Sequence, residues 1–208
     1  MFEKPIKLKS GRLSYWYVNW RNIAEDVFLT DKLTDYIIAF IEFLKLKTDC
    51  IYGVPEGATK LGIISQYKWA QKQPDYDKGI YRLAMGRAQP KGHGEPKDQN
   101  YLGIPRGMVT VIEDTLTTGE SLLKTLNNLK ISNIKIAAAI CLTNRNELRD
   151  DGKNIEHIFK TKGINFYSMS NAVELLPMAC QKQKPAPEIK RNIEEYFDKY
   201  GVRKISLK

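Results

Sequence analysis

Residues 109–121, VTVIEDTLTTGES, gather the groups needed to hold a sugar phosphate. An apolar run (Val109, Val111, Ile112) ends in two adjacent carboxylates, Glu113 and Asp114. A loop of hydroxyl residues with one glycine follows, and then the apolar-periodic stretch LLKTLNNL, which reads as a helix. Carboxylates at a strand end accept hydrogen bonds from the vicinal hydroxyls of a sugar. Backbone N–H groups of Thr117 to Ser121, aimed by a helix N-terminus, hold a phosphate dianion. Acid pair and cradle together describe a site for a ribose 5-phosphate. Metal chemistry of the zinc type is not indicated: His93 and His157 are far apart, and Cys50, Cys141 and Cys180 form no CxxC pair.

Such a site needs a strand and a helix to aim it, and the chain supplies both repeatedly. Residues 5–21 combine alternating aromatics with a Ser-Gly-Arg turn, which predicts two short strands. Apolar positions 33, 36, 37, 40, 41 and 44 predict a helix over 31–46, with Asp31 as the acid near its start. Residues 49–55 (DCIYGVP) read as a buried strand stopped by Gly53 and Pro55, and 58–71 as a helix. Strands are further predicted at 79–85, 134–142 and 164–168, and helices near 146–162, 170–181 and 187–200. Residues 86–107 have five glycines and three prolines and no apolar period, the composition of a functional loop. Strands alternating with helices imply an α/β fold, a parallel sheet with helices on both faces. Ligands then bind beyond the carboxyl ends of the strands, where the acid pair and Gly53-Val54-Pro55 lie.

Composition sets the limits. A chain of 208 residues, 42% hydrophobic and 27% charged, suits one α/β domain. Apolar runs at 37–44 and 134–142 are too short to span a bilayer, and the N-terminus has no apolar segment of the secretory kind. With its cysteines reading as small buried hydrophobes, a cytoplasmic location is expected. The net charge of +9 raises the question of nucleic acid, but the excess is confined to residues 1–21, 82–106 and 181–208. A multiply phosphorylated small substrate accounts for the first two segments. The third, a basic C-terminal helix and tail, reads as a solvated helix face or a polyanion contact.

IEDTLTTGES resembles the phosphoribosyl-pyrophosphate (PRPP) loop of the type I phosphoribosyltransferases. LKSGRLSYWYVNWR near the N-terminus, GVPEGA at 53–58, RAQPKGHG at 87–94 and TNRNE at 143–147 narrow the likeness to the orotate phosphoribosyltransferases, and GINFYSMSNAVELL extends it towards the C-terminus. The resemblance implies a single phosphoribosyltransferase domain over 1–208: a central parallel sheet flanked by helices, a small N-terminal hood (1–30) and a mobile catalytic loop (86–107). The implied reaction joins orotate and PRPP to give orotidine 5′-monophosphate and pyrophosphate, with Mg²⁺ held mainly through PRPP. It also implies a homodimer whose loops exchange across the interface.

Residue by residue, the resemblance assigns Glu113, Asp114, Thr115, Thr117, Thr118, Gly119, Glu120 and Ser121 to PRPP, with Glu120 turned outward. Gly57 joins them through its backbone N–H. Arg87, Lys91 and His93 match the clamp on the leaving pyrophosphate, with Ala88 standing where the family usually has a second lysine. Lys9 matches a lysine that approaches PRPP and the pyrimidine, so Lys9, Arg87, Lys91, His93 and Asp114 are the expected catalytic set. Tyr17 and Val18 (through their backbone), Thr117 and Arg145 match the orotate contacts. Glu56 departs from the family's side-chain donors in the 53–58 segment. Two other readings are the same fold acting on a purine or other base, and a PRPP-sensing, RNA-binding regulator. An acidic base requires cations such as Lys9 and Arg145, and a sensor needs no leaving-group clamp; membrane and nucleic-acid partners are not expected.

Overall fold

The computed structural model describes residues 1–92 and 99–207. Strands β3 (Cys50–Gly53), β6 (Met108–Leu116), β7 (Lys135–Asn144) and β8 (Phe166–Asn171) form one parallel sheet in the order β3-β6-β7-β8. Two antiparallel hairpins stand apart from it: β1 (Ile6–Lys7) with β2 (Leu13–Ser14), and β4 (Met85–Gly86) with β5 (Tyr101–Leu102). Helices α1 (Trp20–Ile23), α2 (Val27–Phe43) and α3 (Thr59–Gln71) precede β6. Helices α4 (Glu120–Ile131) and α5 (Ile155–Thr161) connect the later strands, and α6 (Ala172–Gln183) and α7 (Pro187–Tyr200) close the chain. This is the α/β arrangement expected from the alternating pattern.

The sheet is covered on both faces because its strands are apolar on both. Val109 and Val111 pack with Leu122, Leu126 and Leu129 of α4 and Phe159 of α5. Ile51, Ile112 and Ile140 pack on the opposite side with Ile37, Ile38 and Ile41 of α2 and Leu61 of α3. A third cluster joins Leu8 and Trp16 of the N-terminal hood to Leu176 of α6 and Ile193 and Phe197 of α7. The C-terminal helix therefore lies under the hood. Ile193, Tyr196 and Phe197 are buried while Arg191 and Lys199 are exposed, so the basic residues of α7 form the solvated side of a packed helix.

Four expectations about elements are corrected. Helix α2 starts one turn earlier than expected, because the side chain of Asp26 accepts a 2.8 Å hydrogen bond from the Leu29 N–H. Val27, Phe28 and Leu29 are exposed, so no apolar period marks that first turn, and Asp31 serves instead as a partner of Lys68 on α3 at 2.8 Å. The strand expected at 79–85 shrinks to Met85–Gly86: Gly79 turns the chain at φ +83°, and Ile80 and Leu83 lie exposed with no strand beside them among the described residues. The helix expected at 146–162 covers only Ile155–Thr161, since Asn146 and Gly152 both adopt positive φ and Asn154 caps the helix. The last strand lies at Phe166–Asn171, later than 164–168, and pairs with β7 as far as Asn171. Residues 86–107 are more ordered than a plain loop. Their ends form the β4–β5 arm, continued by Arg87 N–H to the Asn100 carbonyl (2.9 Å) and Lys91 N–H to the Gln99 carbonyl (2.8 Å).

Candidate active site

Strand β6 delivers Glu113 and Asp114 to the carboxyl edge of the sheet, and both are almost entirely buried there. Helix α4 begins immediately beyond. Its N-cap is Gly119 in the left-handed region (φ +72°), and no side chain caps it. A side chain at Gly119 would also collide with Ile155 of α5, so glycine answers both demands. The first-turn N–H groups of an uncapped helix lack intrahelical partners and form a ready anion site. Arg149 braces this loop from the β7–α5 connection, donating from Nη1 to the Thr118 carbonyl at 2.6 Å.

These elements line a cavity of about 490 Å³, within the range of small-ligand sites. Glu113, Asp114, Thr115, Thr117, Thr118, Gly119 and Ser121 all face it, as do Gly57, Lys9 and Tyr17. Glu120 and Glu56 also line it, both with exposed side chains. The hood closes one side: Lys9 Nζ donates to Ser121 Oγ at 3.2 Å, placing a cation directly at the cradle. The 53–58 segment closes another, with a cis peptide between Pro55 and Glu56. At Gly57 a Cβ would meet the Asp114 carboxylate, so the close approach of this segment to the acid requires glycine.

The two carboxylates are not equivalent. Burial, and then the charge of Asp114, push the Glu113 carboxyl well above the usual carboxylate range, with Lys9 acting the other way. Asp114 is held from several sides: Oδ1 accepts from the Thr115 N–H at 2.8 Å, and Oδ2 lies 3.4 Å from Arg21 Nε. Sugar hydroxyls, which both donate and accept, can bond to a carboxyl group in either protonation state.

Several expected site residues lie elsewhere. Val18 does not line the cavity, although its carbonyl accepts from Thr115 Oγ1 at 3.3 Å on the cavity wall. Arg145, expected at the base, is fully buried and does not reach the cavity. Its Nε donates to Glu147 Oε1 at 2.7 Å, Nη2 to Ser14 Oγ at 3.0 Å and Nη1 to the Trp16 carbonyl at 3.2 Å, and its guanidinium stacks 3.8 Å from the Trp16 ring. Glu147 also binds Arg12 (3.0 Å) and the Tyr196 hydroxyl (2.9 Å). The group pins the hood to β7 and α7. Arg87 and Lys91 sit on the β4–β5 arm and not on the cavity wall, and His93 lies outside the described residues.

Sequence reasoning missed Arg21 and Arg149. Arg21 follows Tyr17 by four residues in a segment already singled out, which was its only signal. Arg149 had none, because it touches the cradle only through the turn at 146–154.

An acid pair at a strand end, an uncapped helix behind it and a hood above share one cavity, and the chain has the fold of the type I phosphoribosyltransferases. The relatives are more particular. The chain is 29% identical to the orotate phosphoribosyltransferase of Aquifex aeolicus over 177 residues, covering 84% of this chain and 88% of that one. Against that of Haemophilus ducreyi it is 24% identical over 204 residues, covering 94% and 89%. Among solved structures, the orotate phosphoribosyltransferase of Francisella tularensis superposes with a TM-score of 0.70 at 23% identity, covering 97% of this chain and 94% of that one. No family model matches the chain. The resemblance carried by the sequence motifs thus extends over most of the chain.

Proposed function

We propose that the chain transfers the 5-phosphoribosyl group of PRPP to orotate, yielding orotidine 5′-monophosphate and pyrophosphate in the formation of UMP. The observation that carries this reading is the meeting of the Glu113–Asp114 pair and the uncapped start of α4 on one cavity. The named relatives specify the base, and the cations Lys9 and Arg21 on the cavity wall suit an acidic one.

In this reading the acids hold the ribose hydroxyls, the N–H groups of Thr117 to Ser121 hold the 5-phosphate, and Lys9 adds charge at that end. Departure of pyrophosphate leaves positive charge on the anomeric centre, so fixed carboxylates below it stabilise the transition state without reorganising. Among the described residues no group of three or more His, Cys, Asp and Glu side chains is disposed to hold a metal ion. Glu113 and Asp114 offer oxygen, the donor type Mg²⁺ takes, which fits an ion carried on the substrate's phosphates and waters. Mg²⁺ so bound neutralises charge on the leaving group.

We assign the leaving-group clamp to Arg87, Lys91 and His93, the first two carried on the β4–β5 arm. A homodimer in which the arm of one copy serves the site of the other belongs to the same reading. Lys91→Ala should lower kcat by about 10²–10³, the scale of a lost oxyanion donor, with PRPP affinity changed less. A cytoplasmic location fits three buried free cysteines, and no described helix is long and apolar enough to cross a membrane. The deciding experiment follows orotate absorbance with PRPP and Mg²⁺ beside adenine, hypoxanthine and uracil. Orotate loss alone is expected; turnover of another base without orotate loss overturns the reading.

A further inference from the structure

An acidic base needs a cation at its end of the cavity, and the residue expected to supply it, Arg145, is committed to Glu147, Ser14 and Trp16 in the interior. Among the described residues three cations line the cavity: Lys7, Lys9 and Arg21. Lys9 sits at the phosphate cradle, 3.2 Å from Ser121 Oγ, and Lys7 lies two residues away on the same segment. Arg21 instead meets the acid pair, with Nε 3.4 Å from Asp114 Oδ2.

We propose that Arg21 binds the carboxylate of the base and so sets the preference for orotate over uncharged pyrimidines; this rests on orotate being the acceptor. The backbone that presents Arg21 is fixed. The Asn19 side chain accepts from the Arg21 N–H at 3.2 Å, and the neighbouring Trp20 Nε1 donates to Thr143 Oγ1 of β7 at 3.0 Å. The guanidinium itself is free to be redirected: its side chain is 63% exposed, and its Asp114 pair is of the weak, solvent-screened kind. When ribose hydroxyls occupy Asp114, the planar fork of Arg21 becomes available for a carboxylate, the partner it matches in a bidentate manner.

The test is steady-state kinetics of the wild-type chain, Arg21→Ala and Arg21→Lys, with orotate and PRPP varied separately. Loss of a charge-assisted bond should raise the KM for orotate about 10- to 100-fold in Arg21→Ala, with the KM for PRPP changed about two-fold or less. Arg21→Lys keeps the charge without the fork and should fall between the two. The affinity for uracil, measured by competition with orotate, should be the same in all three. An unchanged orotate KM overturns the assignment; so does a PRPP KM that rises as much as that of orotate, which places Arg21 at PRPP. Absence of orotate turnover in the wild-type chain removes the acceptor itself, and the role of Arg21 with it; the wild-type control separates that failure from the others.

Discussion

The cavity and the hood anchor both bury charge, and they treat it in opposite ways. Around Glu147 opposite charges meet: two guanidinium groups and the Tyr196 hydroxyl share its carboxylate, Asp150 adds a second carboxylate to Arg12, and the carbonyls of Trp16 and Leu148 accept further donors. Around Glu113 and Asp114 two acids stand side by side, the Glu113 carboxyl pushed up by burial and by its neighbour, and both face a helix start with no cap. Charge paired with opposite charge fixes architecture, while an acid pair beside open donors is held for a ligand. Stability should therefore reside in the first group and affinity in the second.

Glu147→Ala should break that division most severely. It leaves Arg12 and Arg145 buried without their carboxylate, at a cost of about 3–5 kcal/mol, read as a lower midpoint in thermal or urea unfolding. Unaltered stability would mean that the hood is not anchored there. Asp114→Asn should do the reverse. PRPP affinity should fall by about 1.5–3 kcal/mol in a calorimetric titration, with the unfolding midpoint nearly unmoved. Equal PRPP affinity would remove Asp114 from the sugar site.

The smallest effect concerns Glu113. Its folded carboxyl titrates above its unfolded value of 4.5, so between the two the folded state binds the extra proton. The unliganded chain should thus be most stable below that window and lose stability as pH rises through the raised folded value. Glu113→Gln should flatten this slope in a pH series of unfolding curves while weakening PRPP binding. A steeper slope in the variant would reverse the assigned protonation.

How much of this was legible in the sequence depends on how far apart the participants lie. The cradle was readable because strand, acids, loop and helix start are contiguous, and local backbone geometry suffices to assemble them. The parallel sheet followed from the same alternation. Arg145 was not readable in its actual surroundings, because Ser14, Trp16 and Glu147 become its neighbours only when the hood folds onto β7. The start of α2 was missed for the opposite reason: a local cap, Asp26, outweighed an apolar period that begins a turn later. GIYRLAM reads as a strand, yet a strand needs a neighbour, and among the described residues none pairs with it before Met85. The turns at Asn146 and Gly152 hid Arg149, whose reach to Thr118 follows from positive φ rather than from residue type.

The central claim is that the acid pair and the helix start hold one ribose 5-phosphate between them. A crystal structure of the chain with ribose 5-phosphate bound tests it most directly. The account predicts the phosphate on the N–H groups of Thr117 to Ser121 and the ring hydroxyls within hydrogen-bond distance of Glu113 and Asp114. A phosphate seated elsewhere, or hydroxyls that touch neither acid, would contradict it.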